Sequence, residues 1–505
     1  MTAPPPHTSA ARAIPPLLIA AVAVLSRIFI LRATHSTTED FYITLRYAEN
    51  IAAGHGFVYN LGERVLGATT PLYTLILAAS AALHVDPVVF GKALNILAEG
   101  ATCWLIARIL ALLGRPRAGW IAALLYATAS APISISIGGM ETGLVALAGL
   151  CAIYAYIQRK PVALAGALGV LFLLRIDGLL LAVVLAGGWH LTRPKQANTP
   201  SRAITWKSIG LFGLLTLPWM LFATLYFGSP VPTSLTAKVL VYARTRQGTF
   251  PNLPEFKHQF LGGGVQIILF TLFLVGLAAA WRACRPLRAP IVWMALYYLI
   301  MLFSRVPCFG WYFVPPLPLY YICVALGVSS LGVLLMSYTP PKIKNQKSKI
   351  KNMAVLLLAL PLLWHLRSVT RDIAEAQKLE DTVRRPLGEW LAKNTAPTDR
   401  IMLEPIGYIG YFSGRPVLDI IGLVSPEVIP FYRKEVGNPL AEIVRRFHPE
   451  VLVLRPAEQD QLLTASQGGH PLLDGEYLPV LNFPEGSNPP VFFIYHRRPA
   501  AGVAQ

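Results

Sequence analysis

The sequence predicts a polytopic α-helical membrane protein of about eleven transmembrane helices, followed by a small extracytoplasmic α/β domain. Three observations predict it. Hydrophobic residues make up 54% of the chain and charged ones only 14%, with a mean hydropathy of +0.52, which excludes an ordinary soluble domain. The apolar residues fall in repeated runs long enough to enter a bilayer. After residue 366 the composition turns soluble.

A Pro-rich stretch at 1–13 reads as a disordered cytoplasmic N-terminus. The apolar runs lie near 14–33, 88–112, 119–137, 141–157, 162–175, 178–191, 208–227, 263–281, 290–304, 314–337 and 353–366. The first of them mimics a signal peptide, but the spans that follow favour an uncleaved anchor. Residues 71–84 are apolar too, and loop charge decides against a span there. With the N-terminus inside, Arg115/Arg117, Arg159/Lys160, Arg193/Lys195/Arg202/Lys207, Arg282/Arg285/Arg288 and the Lys342–Lys351 run all fall on the cytoplasmic side, as the positive-inside rule requires. Counting 71–84 as a span breaks that pattern, so it reads as an interfacial or re-entrant helix. The membrane domain is then 14–366, with a first outer loop at 34–87, and the outer domain is 367–505.

The net charge of +18 is spread over these short loops and points to the inner leaflet's anionic lipid, not to nucleic acid. The five cysteines are scattered, mostly within apolar runs and without a CxxC pair, so they indicate neither a disulfide frame nor a metal site.

Within the outer domain, Arg384–Asn394 reads as a helix. Strands are expected at Arg400–Glu404, Pro416–Asp419, Glu450–Leu454, Tyr477–Phe483 and Val491–His496.

The first outer loop opens on Glu39-Asp40-Phe41-Tyr42-Ile43-Thr44-Leu45-Arg46. Phe41, Leu45, Ala48 and Ala52 recur at helical spacing, opposite Arg46, Glu49 and Asn50, which predicts a short amphipathic helix at the interface. Gly54 is placed to end it. His55, between Gly54 and Gly56, reads as a turn residue ahead of a catalytic one.

Charged side chains beside an apolar bundle are functional candidates by default. On the outer side these are Glu39 and Asp40, Glu141, Arg175 and Asp177, Lys238 and Arg305. Trp311 and Tyr312 are there as well, as interface anchors or as a platform for a sugar ring. Arg175 and Asp177 read equally as a structural ion pair and as substrate contacts.

This pattern suits a sugar donor joined to a lipid phosphate. The leaving group is already a stable anion, so the site must supply a base for the acceptor hydroxyl and cations for the phosphate. Repulsion between Glu39 and Asp40 raises the pKa of one of them and favours proton acceptance. The same pair is equally a place for a divalent cation. The rival from another class is a transporter or lipid flippase using the same buried charges as a path. No repeat relates the two halves of the chain, and transport does not require an outer domain.

The run Asp40–Asn50, then Gly54-His55-Gly56-Phe57-Val58-Tyr59-Asn60-Leu61-Gly62-Glu63-Arg64-Val65 and Thr70-Pro71-Leu72, resembles the first-loop signature of GT-C fold glycosyltransferases. The nearest flavour is the bacterial branch similar to mycobacterial arabinofuranosyltransferases and to protein mannosyltransferase or lipid A aminoarabinose transferase relatives. Gly139-Met140-Glu141-Thr142, Arg175-Ile176-Asp177-Gly178, Pro232–Lys238 and Ile406–Arg415 with Asp419–Leu423 resemble later landmarks of that branch. Glu39-Asp40 stands where the branch often has two aspartates, and Ile176 where it often has proline.

The resemblance implies a polyprenyl-phosphate-sugar donor, a glycan, lipid or protein acceptor, and an inverting transfer on the outer face of the cytoplasmic membrane. It implies Asp40 as general base. The sequence reading adds Glu39 and Glu141 as assisting carboxylates, and Arg46, His55, Arg175, Asp177, Lys238, Arg305, Trp311 and Tyr312 as substrate contacts.

Overall fold

The computed structural model describes residues 9–191, 204–245, 248–337, 364–433, 437–467, 470–487 and 489–499. The basic Arg193–Arg202 and Lys342–Lys351 stretches, residues 1–8 and residues 353–363 of the last expected span lie outside the described residues.

Five described helices are long and apolar enough to cross a membrane: Pro16–Thr34, Pro87–Leu112, Trp206–Phe227, Gly264–Ala283 and Arg285–Phe303. A sixth span is broken, Pro116–Ala127 meeting Ser130–Ile137 at 55°. Shorter apolar helices occupy four further expected spans, at Thr142–Ile157, Pro161–Leu174, Gly178–Leu191 and Leu317–Leu331. The chain is a multi-pass membrane protein. The helix Pro71–Ala82 has 12 residues, about 18 Å of rise, which is short of a bilayer core. The first helix begins at Ser9, inside the stretch expected to be disordered.

The chain divides into two compact units. One contains residues 1–36, 89–218 and 248–374, and is helical. Within it, Gly276 and Gly327 let two helices touch. A Cβ on Gly276 would overlap the Cys323 carbonyl, and one on Gly327 the Leu272 carbonyl, so only glycine permits this crossing.

The other unit contains 37–88, 219–247 and 375–505. Its sheet is ordered Val417–Asp419, Ile401–Leu403, Val451–Leu454, Phe492–Arg497, Tyr477–Phe483. The first three strands are parallel and the last two antiparallel. All five expected strands form. Alternation along the strands divides their side chains between two cores. Ile401, Leu403, Val451 and Val453 share one with Leu387, Leu391 and Ile409. Met402, Leu452 and Leu454 share the other with Leu440, Ile443 and Val444 of the helix Pro439–Phe447.

Tyr47, Phe57, Tyr59, Leu66 and Ala68 of the first outer loop belong to the first of these cores. Asn60 extends the sheet by donating to the Val417 carbonyl at 2.8 Å and accepting from its N–H at 2.9 Å. Loop and outer-domain sheet therefore fold around common apolar side chains.

Candidate functional site

The helix Glu39–Ala52 forms as its spacing predicts, and Gly54, at φ +81°, follows its end. Its polar face is not left to solvent. Glu39 accepts from the N–H of Gly407 at 2.5 Å and of Tyr408 at 3.1 Å, and pairs with Arg384 at 3.7 Å. Arg46 donates to three carbonyls, Tyr59 at 2.9 Å, Gly410 at 2.6 Å and Arg415 at 2.7 Å, with its guanidinium stacked on the Tyr59 ring. Glu49 accepts from the Tyr411 hydroxyl at 2.5 Å. The helix is thus fastened to residues 407–415 on one side, while Phe41, Leu45 and Ala48 are buried on the other.

Glu39 and Asp40 are neighbours with different surroundings. The Glu39 side chain is 16% exposed, and burial pushes its carboxyl up to about 8. Arg384 opposes the shift, Glu380 adds to it, and Asp40 is the last of its causes. Desolvation, ahead of the expected mutual repulsion, sets the proton affinity here. Asp40 is half-buried, and among the described residues its carboxylate has no hydrogen-bond or ion-pair partner.

Beside it in electrostatic reach is Tyr242, on the helix Thr233–Thr245. Burial raises its phenol most, then Glu404; Lys238 opposes the shift, and Asp40 and Asp419 add to it. Lys238 is half-buried on the same helix. This unit therefore gathers Asp40, Lys238, Tyr242 and Glu404. The sequence reading did not name Glu404 or Tyr242. Glu404 closes the strand Ile401–Leu403, and that position at a strand end was the available signal.

The helical unit holds the other expected residues. Arg175 pairs with Asp177 at 2.8 Å and Glu141 at 3.8 Å, and lies over the Tyr312 ring. Tyr297 donates to Asp177 at 3.4 Å. Two carboxylates thus face one guanidinium. Trp311 stacks on Phe309 at 4.7 Å. Arg305 is exposed on a loop held by buried Asn252. That amide donates to the carbonyls of Met301, Ser304 and Val306 at 2.8–2.9 Å and accepts from the Cys308 N–H at 2.9 Å. Asn252 also escaped the sequence reading.

His55 is exposed between Gly54 and Gly56, both at positive φ. Among the described residues no group of three or more His, Cys, Asp or Glu side chains is arranged to hold a metal ion.

Solved structures share this architecture. ArnT from Cupriavidus metallidurans bound to undecaprenyl phosphate matches 97% of this chain and 99% of its own length, at 15% identity and a TM-score of 0.58. The apo oligosaccharyltransferase of Archaeoglobus fulgidus matches 98% of this chain and 75% of its own, at 13% identity and 0.58.

The chain has the GT-C fold. A third GT-C structure, Archaeoglobus fulgidus AglB in complex with an inhibitory peptide and a dolichol-phosphate, matches 95% of this chain and 74% of its own, at 12% identity and 0.57. A family model described as a domain of unknown function, DUF8728, matches residues 371–495, the outer part of this GT-C chain. No curated relative is similar in sequence.

Proposed function

We propose that this GT-C chain is a membrane glycosyltransferase that moves a sugar from a polyprenyl-phosphate donor to an acceptor hydroxyl, with inversion, on the outer face of the cytoplasmic membrane. Its N-terminus is inside and its C-terminal domain outside. Asp40 is the general base. The observation that carries this reading is the half-buried Asp40 carboxylate without a partner, next in sequence to a Glu39 that is fully engaged. The fold is one in which ArnT is seen with undecaprenyl phosphate and AglB with dolichol-phosphate.

The Asp40 carboxylate takes the proton of the acceptor hydroxyl as its oxygen bonds to the anomeric carbon. The bond from that carbon to the phosphate oxygen breaks on the opposite side, and the polyprenyl phosphate leaves as an anion. Lys238 and Arg305 are the cations that meet it. Arg175 is already matched by Asp177 and Glu141, which makes it a poorer phosphate ligand and gives Glu141 the role of holding it. Glu39 and Arg46 hold the helix that carries the base. Trp311 is the stacking surface for a sugar ring.

The test is transfer from radiolabelled undecaprenyl-phosphate sugars, pentose and hexose, to acceptors in washed membranes that contain the full chain. Asp40→Asn is expected to lose transfer by two orders of magnitude or more, roughly the upper range for removing a general base. Full transfer by Asp40→Asn would falsify the assignment.

A further inference from the structure

The parallel part of the outer sheet is doubly wound. The strand order places Ile401–Leu403 between Val417–Asp419 and Val451–Leu454. The chain leaves Ile401–Leu403 through the helix Tyr408–Ser413 to reach one neighbour, and then returns through the helix Pro439–Phe447 to the other. Ile409 of the first helix and Ile443 of the second lie in the two different cores, on opposite faces of the sheet. A crevice therefore opens at the carboxyl ends of Ile401–Leu403 and Val451–Leu454, where open α/β sheets take their ligands.

The residues that follow these two strands are Glu404 and Arg455, and they touch each other as an ion pair. Arg455 is held by Glu458, which accepts from its backbone N–H at 2.8 Å and from Nε at 3.0 Å. It therefore presents Nη1 across the crevice. Glu404 is 20% exposed. Its Oε2 is buried, and no donor reaches it in hydrogen-bond geometry. A buried carboxylate oxygen of this kind lacks an O–H or N–H partner.

Asp419, at the end of the third parallel strand, does not compete for a ligand. It is fully buried, and the N–H groups of Ile421, Leu423 and Val424 donate to it. Glu404, Glu458 and Asp419 outnumber Arg455, so the crevice disfavours a phosphate. A carboxylate and a guanidinium side by side, with the Tyr242 ring in electrostatic reach, suit the vicinal hydroxyls of a sugar.

We propose that this crevice is the acceptor subsite, and that it takes a polyhydroxylated, uncharged glycan. Glu404 accepts hydrogen bonds from two neighbouring hydroxyls, and Arg455 donates to one of them. The assignment of this sugar as the acceptor rests on the proposed glycosyl transfer; the binding itself does not.

Saturation-transfer NMR on the full chain in lipid nanodiscs tests it, with the methyl glycosides of glucose, mannose, galactose and arabinofuranose as probes. The wild-type protein is expected to saturate the ring protons of at least one glycoside. Glu404→Gln and the more exposed Arg455→Gln are each expected to cut that signal at least fivefold, with thermal unfolding showing both folded. Asp40→Asn is expected to keep it while losing transfer. No signal from the wild-type protein with any of the four probes, or equal signals from the folded Glu404→Gln and Arg455→Gln proteins, overturns the subsite. Retained transfer by Asp40→Asn, with the glycoside signal still lost in Glu404→Gln, overturns the base assignment and leaves the sugar site standing.

Discussion

Glu39 and Gly407 are 368 positions apart in sequence, yet the Glu39 carboxylate accepts the Gly407 N–H at 2.5 Å. The contact fixes the first turn of the helix that carries Asp40. It also demands glycine at 407, because a Cβ there would collide with the Glu39 backbone carbonyl and carboxylate. Gly407→Ala is therefore expected to destabilise the unit by about 1–3 kcal/mol and to lower transfer at least tenfold. Thermal unfolding in detergent and the labelled-donor assay check the two effects. Wild-type values in both would show that the clamp does not position the base.

The same clamp makes a pH prediction. Burial raises the Glu39 carboxyl to about 8 from an ordinary value near 4.5. Between those values the folded protein binds more protons at this site than the unfolded one, so stability falls as pH rises through the window. The melting temperature of the wild-type protein is expected to drop from pH 6 to pH 9, and Glu39→Gln to reduce that drop, because an amide does not titrate. Identical slopes in the two proteins would contradict it.

Arg46 was expected to touch substrate, and the geometry gives it three backbone carbonyls instead. Lysine cannot reproduce that planar fork. Arg46→Lys is expected to cost about 1.5–3 kcal/mol of stability, the range for a hydrogen bond to a charged group. It is expected to leave the apparent KM for the lipid-linked donor within twofold. A large rise in KM with unchanged melting would restore the substrate role.

Much of this was legible because hydropathy and strand alternation are local signals. The bounds of Pro87–Leu112, Gly178–Leu191 and Tyr477–Phe483 follow from runs of adjacent residues. The 55° break at 128–129 was not visible, because no proline or glycine marks it. Nor was the partnership of Glu39, Arg46 and Glu49 with residues 407–415. An amphipathic helix has the same pattern whether its polar face meets water or a second segment, and the second segment lies over 350 positions away. Glu404 and Asn252 were missed for a similar reason: each is a single polar residue whose meaning comes from a strand end or a distant loop.

Asn252 offers a direct test of that point. Its amide holds the loop that carries Arg305. Asn252→Ala should release the loop and reproduce the loss of transfer seen in Arg305→Gln, and the double variant should be no worse than either single one, since contacts within one network do not add. Losses that simply multiply would separate the two residues.

The break in the span at 128–129 is held by a pair the sequence reading also passed over. Arg27 and Glu99 meet at 2.7 Å, and both side chains are 0% exposed. Arg27 also donates to the carbonyl of Ala127, the last residue before the bend, at 2.9 Å, and to the Ser136 hydroxyl beyond it at 3.2 Å. Tyr126 donates to the other Glu99 oxygen at 3.0 Å. The guanidinium thus satisfies a helix end that lipid cannot, and Glu99 balances its charge. Removing one partner leaves a buried charge alone, which costs about 3–5 kcal/mol, whereas replacing both with apolar side chains of similar volume is often close to neutral. Here the pair also caps a carbonyl, so the double replacement keeps a residual cost of about 1–3 kcal/mol for the orphaned Ala127 oxygen. The expected order of melting temperatures in detergent is therefore wild type, then Arg27→Met/Glu99→Met, then Glu99→Met alone. A single variant that melts above the double one would show that the helix break, not the charge balance, is what the pair secures.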